Sequence, residues 1–125
     1  MLAGKRPTRL GVREGCLAPC KRTPNCVSSQ ADPRDAEHYI APLPRPLAAV
    51  REALSAMPRV RVVEARADYV YAEFRSRLLG FVDDVEFYDD GALVHVRSCS
   101  RLGRRDFGVN RRRIEALRRL IEARR

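Results

Sequence analysis

Hydrophobic residues recur at helical spacing in two segments of the chain. The first segment predicts a helix over residues 46–57, because Pro46 suits the first helical position and Pro58 cannot continue the helix. The second predicts a helix near the carboxyl terminus, with Asn110 as the favoured N-cap and Asp106 as the alternative. The two apolar faces consist of Leu47, Val50, Leu54 and Met57 in the first helix and of Ile114, Leu117, Leu120 and Ile121 in the second.

Between these helices the hydrophobic pattern changes to a period of two, which is typical of half-buried strands. Four such runs begin near Val60, Tyr69, Phe81 and Leu93. The sequence Asp-Asp-Gly at 89–91 favours a tight turn, because glycine adopts positive φ without strain. Since the connections are short, we expect the four runs to form one antiparallel sheet.

Residues 1–45 show neither period and are rich in proline, arginine, serine and cysteine, so they predict an irregular N-terminal arm that wraps the domain. The expected fold is α+β, in the order arm-α-β-β-β-β-α, with both helices packed on one face of a four-stranded antiparallel sheet. A chain of 125 residues has room for one modest core. We therefore expect one domain overall, made of the arm and an α+β part at residues 46–125.

The formal net charge of +9 indicates an anionic partner, but the distribution of charge weakens that indication. Residues 64–96 carry 3 basic and 8 acidic residues, whereas residues 1–63 carry 11 and 5 and residues 97–125 carry 11 and 3. We expect the acidic middle to pair with the basic ends. Nucleic-acid binding is therefore less favoured than an internally paired, solvated surface.

No apolar run approaches the ~20 residues that span a bilayer. The amino terminus also has no apolar stretch after its basic residues that would act as a secretion signal. As written, the sequence predicts a cytoplasmic protein without a transmembrane segment, and it leaves the oligomeric state open.

Three cysteines, Cys16, Cys20 and Cys26, lie close together, whereas Cys99 lies far along the chain. Structural zinc needs four ligands, usually in pairs two to four residues apart, so a zinc site here would need Cys99 or His38 as well. The alternatives are a disulfide, which favours an oxidising compartment, and reduced thiols without chemistry. We expect no metal and no cofactor.

Two groups of polar residues are candidates for a binding site. In the first, Asp83 and Asp84 lie on one predicted strand and face Arg97 across the turn at 89–91. Adjacent strand residues point to opposite faces, which argues against the two aspartates as a catalytic pair. Asp83 falls on the apolar face, where a carboxylate needs a cationic partner such as Arg97 or Arg101.

The second group surrounds the start of the last helix, where backbone N–H, hydroxyl and guanidinium groups can converge on an anion. Its members are Arg97, Ser98, Ser100, Arg101, Asp106, Asn110, Arg111 and Arg113. The segment lacks the glycine patterns of nucleotide-binding loops. No Ser–His–Asp grouping is evident, because His38 lies in the arm and His95 in a strand. A capped loop without a ligand is the alternative interpretation.

Four stretches of the chain resemble, in order, those of the bacterial and plant family called domain of unknown function 1499. They are 17–20 (LAPC) with 24–29 (PNCVSS), 68–76 (DYVYAEFRS), 80–87 (GFVDDVEF), and 96–101 (VRSCSR) with 106–111 (DFGVNR). The resemblance covers about residues 10–121 and implies a one-domain protein, with no reaction, cofactor or catalytic residue to carry over. It also favours Cys20 with Cys26 as the simplest disulfide. Cys99 and the pair Arg104 and Arg105 depart from the family pattern.

These features favour a non-enzymatic binding module for a small anionic ligand or an acidic partner. A second hypothesis is a hydrolase-like enzyme that uses Asp83 or Asp84 on a phosphorylated or carboxylated substrate. A third is nucleic-acid binding through the terminal helix.

Overall fold

The computed structural model describes residues 3–124. Residues 1–2 of the predicted arm and residue 125 of the predicted α+β part lie outside the described residues. The elements are β1 (Cys26–Ser28), α1 (Leu47–Ser55), β2 (Val60–Ala65), β3 (Tyr69–Arg75), β4 (Val82–Asp89), β5 (Val94–Ser100) and α2 (Val109–Ala123). The strands form one sheet in the order β1-β5-β4-β3-β2, and every neighbouring pair is antiparallel.

The predicted α+β class with two helices and an antiparallel sheet is confirmed, but the sheet has five strands instead of four. The additional strand, β1, lies within the segment that was expected to be irregular. It pairs with β5 so that Cys26 lies opposite Cys99 and Ser28 lies opposite Arg97. Its three residues are too few to display a period of two, which is why the hydrophobic pattern did not predict it.

The first helix is shorter than predicted. Pro46 is its N-cap in an extended conformation and not the first helical residue, and the helix ends at Ser55. Its buried residues follow the predicted stripe at Leu47, Val50 and Leu54, which confirms the helical period.

The second helix begins before the predicted N-cap. Gly108, with φ of 80°, is the N-cap, whereas Asn110 is buried in the first turn, so the assignment of Asn110 as N-cap was wrong. The Oδ2 atom of Asp106 accepts the backbone N–H of Asn110 at 2.9 Å. Asp106, the alternative N-cap candidate, therefore supplies a hydrogen bond to the start of the helix.

Both helices pack on one face of the sheet, called the helix face below. The main cluster of buried apolar residues lies on this face and includes Leu54, Val85, Phe87, Ile114 and Leu117. The predicted third run began at Phe81, but Phe81 lies before β4 and remains 39% exposed. Burial of this apolar layer provides the main stabilisation of the fold.

The N-terminal arm covers the opposite face of the sheet, called the arm face below. Leu17 is buried there with Tyr69 and Tyr71, and Leu10 and Val12 pack against the same cluster. Within residues 3–124 no helix is long and apolar enough to cross a membrane.

Ion pairs connect the acidic middle of the chain with both basic flanks, as the charge distribution predicted. Examples are Arg6 with Glu73, Arg45 with Asp89, Arg101 with Asp84 and Arg113 with Asp83. At least four carboxylates of the acidic middle are therefore paired with arginines of the two flanks.

Candidate anion-binding site

The arm face carries polar side chains because every second residue of β3, β4 and β5 points to it. Two rows of directly opposed residues cross this face, and they are Glu73, Asp84 and Cys99 in one row and Tyr71, Glu86 and Arg97 in the other. Such polar groups can be buried under the arm at low cost only if each has a hydrogen-bond or ion-pair partner.

Arg101 satisfies the carboxylates of the first row. Its Nε donates to Oδ2 of Asp84 at 2.8 Å and its Nη2 donates to Oε2 of Glu73 at 2.5 Å. Arg6 from the arm donates to the same Glu73 oxygen at 2.7 Å, and the Tyr71 hydroxyl donates to Asp84. Burial acts to raise the pKa of Glu73, but the hydrogen bonds from Arg6 and Arg101 outweigh it and hold that pKa below its usual value.

Glu86 is fully buried in the second row. Its Oε2 accepts the Tyr69 hydroxyl at 2.5 Å and the backbone N–H of Gly11 at 2.7 Å. Its Oε1 has no hydrogen-bond partner among the described residues. Burial raises the pKa of Glu86, so this carboxyl resists ionisation more than an exposed glutamate does.

Arg97 has fewer hydrogen bonds than Arg101, the other cation held under the arm. Arg97 is 8% exposed, and within residues 3–124 its Nε has no hydrogen-bond partner. Its Nη2 donates to the carbonyl of Pro19 at 3.3 Å, and its Nη1 lies 3.9 Å from Oε1 of Glu86. A buried guanidinium normally forms short hydrogen bonds to a carboxylate, so Arg97 retains capacity for a further anionic partner.

A pocket of about 510 Å³ is lined by residues 16–38 of the arm itself. Arg97 lines a second pocket, of about 450 Å³, between the arm and β5. The other cationic residues that line this arm pocket are Lys5, Arg9, Lys21 and Arg101. Asp84 is the single carboxylate among its described lining residues, and it is engaged by Arg101. The arm pocket therefore has an excess of positive charge.

A disulfide between Cys20 and Cys26 joins the arm to β1 beside this pocket, with a Cα–Cα distance of 5.6 Å. This is the pairing that the family resemblance favoured. Cys16 is a free exposed thiol and Cys99 a free buried one, and burial raises the pKa of Cys99. Across residues 3–124, no group of three or more potential ligands could hold a metal ion.

The predicted helix-terminus cluster does not converge on an open site. Ser98 donates to Oδ1 of Asn110 at 2.5 Å, and Nδ2 of Asn110 donates to Ser100 at 2.9 Å and to Asp106 at 2.8 Å. These four side chains satisfy one another and attach α2 to β5. Their arrangement is that of a structural hydrogen-bond cluster.

Asp83 and Asp84 lie on opposite faces of the sheet, as expected for adjacent strand residues. The partner of Asp83 is Arg113, whose Nη1 donates to its Oδ2 at 2.6 Å, so the expectation of Arg97 or Arg101 as partner was wrong. Arg111 donates to the backbone carbonyls of residues 36 and 37 at 3.2 and 3.3 Å. Arg97 and Arg101 therefore lie on the arm face, apart from the two helix arginines.

The structure also forms a Ser–His–Asp group that the sequence did not reveal. The Oγ of Ser29 lies 3.1 Å from Nδ1 of His95, whose Nε2 lies 3.0 Å from Oδ2 of Asp90. Ser29 is buried, however, and its Oγ accepts the backbone N–H of Val96 at 2.9 Å. This hydroxyl joins the arm to β5 and is not presented to a substrate.

Sequence reasoning missed the arm residues of the pocket and the buried carboxyl beneath it. Lys5, Arg9 and Lys21 come from a segment without a recognisable period, so their approach to β5 left no signal in the sequence. Glu86 was detectable in principle, because it alternates with Asp84 on a strand beside Tyr69 and Tyr71.

The family model for "Protein of unknown function (DUF1499)" matches residues 16–121. The chain belongs to this family. No curated protein and no solved structure matches the chain. The part of the pocket formed by Cys20, Lys21 and Arg97 lies inside the DUF1499 region, whereas Lys5 and Arg9 precede it.

Proposed function

We propose that this DUF1499 protein is a non-enzymatic binding module that holds a small anion in the arm pocket. The observation that carries the proposal is Arg97, a buried guanidinium in a cationic pocket, with one hydrogen bond to a carbonyl and a carboxyl group 3.9 Å away. Burying a cation with so few partners is costly. An anionic ligand would supply the missing hydrogen bonds and charge.

The surrounding charges support an anion over a cation. Lys5 and Arg9 are exposed at the rim of the pocket, and Lys21 approaches from the arm and donates to the carbonyl of Ser100 at 2.6 Å. Glu86 is a weak counter-ion for Arg97, because its pKa is raised by burial and its ordered Oε2 faces Tyr69 and Gly11. The local field therefore favours a negatively charged ligand.

The chemical class is a small carboxylate or phosphate. The planar guanidinium of arginine matches two oxygens of such groups at once, which a lysine ammonium cannot do. A pocket of about 450 Å³ holds a small organic acid or phosphate ester and excludes a folded macromolecule.

The test is calorimetric titration of the purified protein with inorganic phosphate and with citrate, together with thermal unfolding at increasing concentrations of each. We expect saturable binding, with stabilisation of about 2.7 kcal/mol at one hundred times the dissociation constant. Arg97→Met should weaken binding by at least about tenfold, since a charged hydrogen bond contributes roughly 1.5 to 3 kcal/mol.

Arg61→Met is the matched control, because Arg61 is an exposed arginine on β2, away from the pocket. It should bind both probes like the unaltered protein. Equal affinity of the Arg97→Met protein and this control, or failure of both probes to bind at millimolar concentration, would contradict the proposal.

The other hypotheses have less support. An enzyme based on Asp83 or Asp84 would have to use carboxylates that already accept short hydrogen bonds from Arg113 and Arg101. Nucleic-acid binding through α2 would compete with the contact between Arg111 and the arm. For the compartment, the Cys20–Cys26 disulfide supports an oxidising environment over the expected cytoplasmic one.

A further inference from the structure

Two loops at one end of the sheet expose large apolar side chains to solvent. They are residues 76–81, between β3 and β4, and residues 101–108, between β5 and α2. The exposed fractions are 90% for Leu78, 58% for Leu79, 39% for Phe81, 43% for Leu102 and 83% for Phe107. Scattered apolar residues are ordinary on protein surfaces, but a concentration of this kind marks an interaction site.

The two loops lie side by side. The β4 and β5 strands meet at this end, where Asp83 is opposite Ser100 and the backbone N–H of Arg101 donates to the carbonyl of Val82 at 3.3 Å. Both loops line one cleft of about 330 Å³, to which Phe81 contributes from one side and Phe107 from the other. Together they form a single surface, which we call the apolar tip.

Arginine residues surround the apolar tip. Arg77, Arg104 and Arg105 are exposed, and none of them takes part in an ion pair within residues 3–124. The single acid of the two loops is Asp106, whose carboxylate accepts the backbone N–H groups of Gly108 and Asn110. The apolar tip therefore has an uncompensated cationic collar.

We propose that the apolar tip docks on an anionic lipid bilayer. Apolar side chains at the ends of loops can enter the interfacial region, while the arginine collar remains at the level of negatively charged headgroups. A second copy of this chain is a poor occupant, because its own collar would place like charges against Arg77, Arg104 and Arg105. The exposed apolar side chains of the tip do not line the arm pocket, and the docking does not depend on an anion in that pocket.

Flotation of the full chain with lipid vesicles tests the proposal. Vesicles of phosphatidylcholine with added phosphatidylglycerol should bind the protein, whereas phosphatidylcholine alone should bind it much more weakly. Added salt should weaken the binding, because the attraction between arginines and headgroups is screened. Arg104→Gln should lower the partition coefficient about fivefold, the effect of one basic residue near an anionic surface.

The variant L78S/F107S should lower the partition coefficient at least about tenfold, since the two most exposed side chains could no longer enter the bilayer. Its matched control is V62S/L93S, which removes apolar side chains of 44% and 42% exposure that lie outside the two loops. The control should bind like the unaltered protein. Circular dichroism and thermal unfolding establish that both double variants remain folded.

Three results would overturn the proposal. One is no binding to anionic vesicles, and another is equal partitioning of L78S/F107S and its control. The third is a concentration-dependent dimer, or capture of an acidic protein, that requires Leu78 and Phe107 while vesicle binding is absent.

Discussion

The two faces of the sheet are stabilised in different ways. The helix face is filled mainly by apolar side chains such as Phe87 and Ile114, both fully buried. The arm face is filled by tyrosines, carboxylates and arginines, each of which depends on a specific partner. Apolar packing is non-directional, whereas a buried polar layer is stable only where its hydrogen bonds are complete. An incomplete set of hydrogen bonds, as at Arg97, therefore indicates a position where a ligand could bind.

The largest expected effect is on the helix face. Phe87→Ala should lower the free energy of unfolding by about 3 to 5 kcal/mol, because it removes a fully buried ring and leaves a cavity. Phe107→Ala is the control, since Phe107 is 83% exposed on the apolar tip, and it should change stability by less than about 1 kcal/mol. Chemical denaturation measures both values, and similar losses for the two variants would refute the assignment of the core.

Within the arm face, the stability cost of replacing Arg101 can be compared with that of replacing Arg97. Arg101→Met should cost about 3 kcal/mol, because it leaves the buried carboxylates of Asp84 and Glu73 with fewer partners. Arg97→Met should cost about 1 kcal/mol or less in the absence of ligand, because Arg97 has one hydrogen bond at 3.3 Å. Denaturant unfolding in a buffer without phosphate or carboxylate measures both values. Equal losses would mean that Arg97 is a structural residue like Arg101.

Acid should lower the free energy of unfolding by protonating Glu73 on the arm face, and this is the smallest expected effect. The folded-state pKa of Glu73 lies below its usual value of 4.5, so its stabilising contribution is present above that pH and is lost as the pH falls below it. Glu73→Gln should make unfolding stability less dependent on pH below about 4.5. Denaturation at a series of acidic pH values measures this slope, and an unchanged slope in the variant would contradict the assignment.

The helix face was predictable because its signal is local and periodic. The spacing of Leu47, Val50 and Leu54 predicted α1, and alternation predicted β2 to β5 with small shifts at their ends. The missed strand, β1, has three residues, and its position depends on β5 far along the chain. The N-cap of α2 was misassigned because the side chain of Asn110 finds buried partners on β5 in place of its own backbone.

The candidate site was predictable only in part. Arg97 in β5 and Arg101 just after it were recognised as candidates, and both line one pocket. The helix arginines were grouped with them because they are close in sequence, but the sheet separates Arg113 from the arm face. Alternation assigns residues to faces, yet it does not reveal which irregular segment covers each face.

The pairing of β1 with β5 also has a consequence for biosynthesis. Contacts that anchor the arm join residues far apart in the chain, for example 67 positions for Ser29 with Val96 and 78 positions for Asn25 with Gly103. On the ribosome, the arm therefore emerges long before its partner strand exists. Until β1 pairs with it, β5 is an open edge that could pair with another chain. Closing that edge is expected to be a late step of folding, because β1 and β5 are far apart in the sequence.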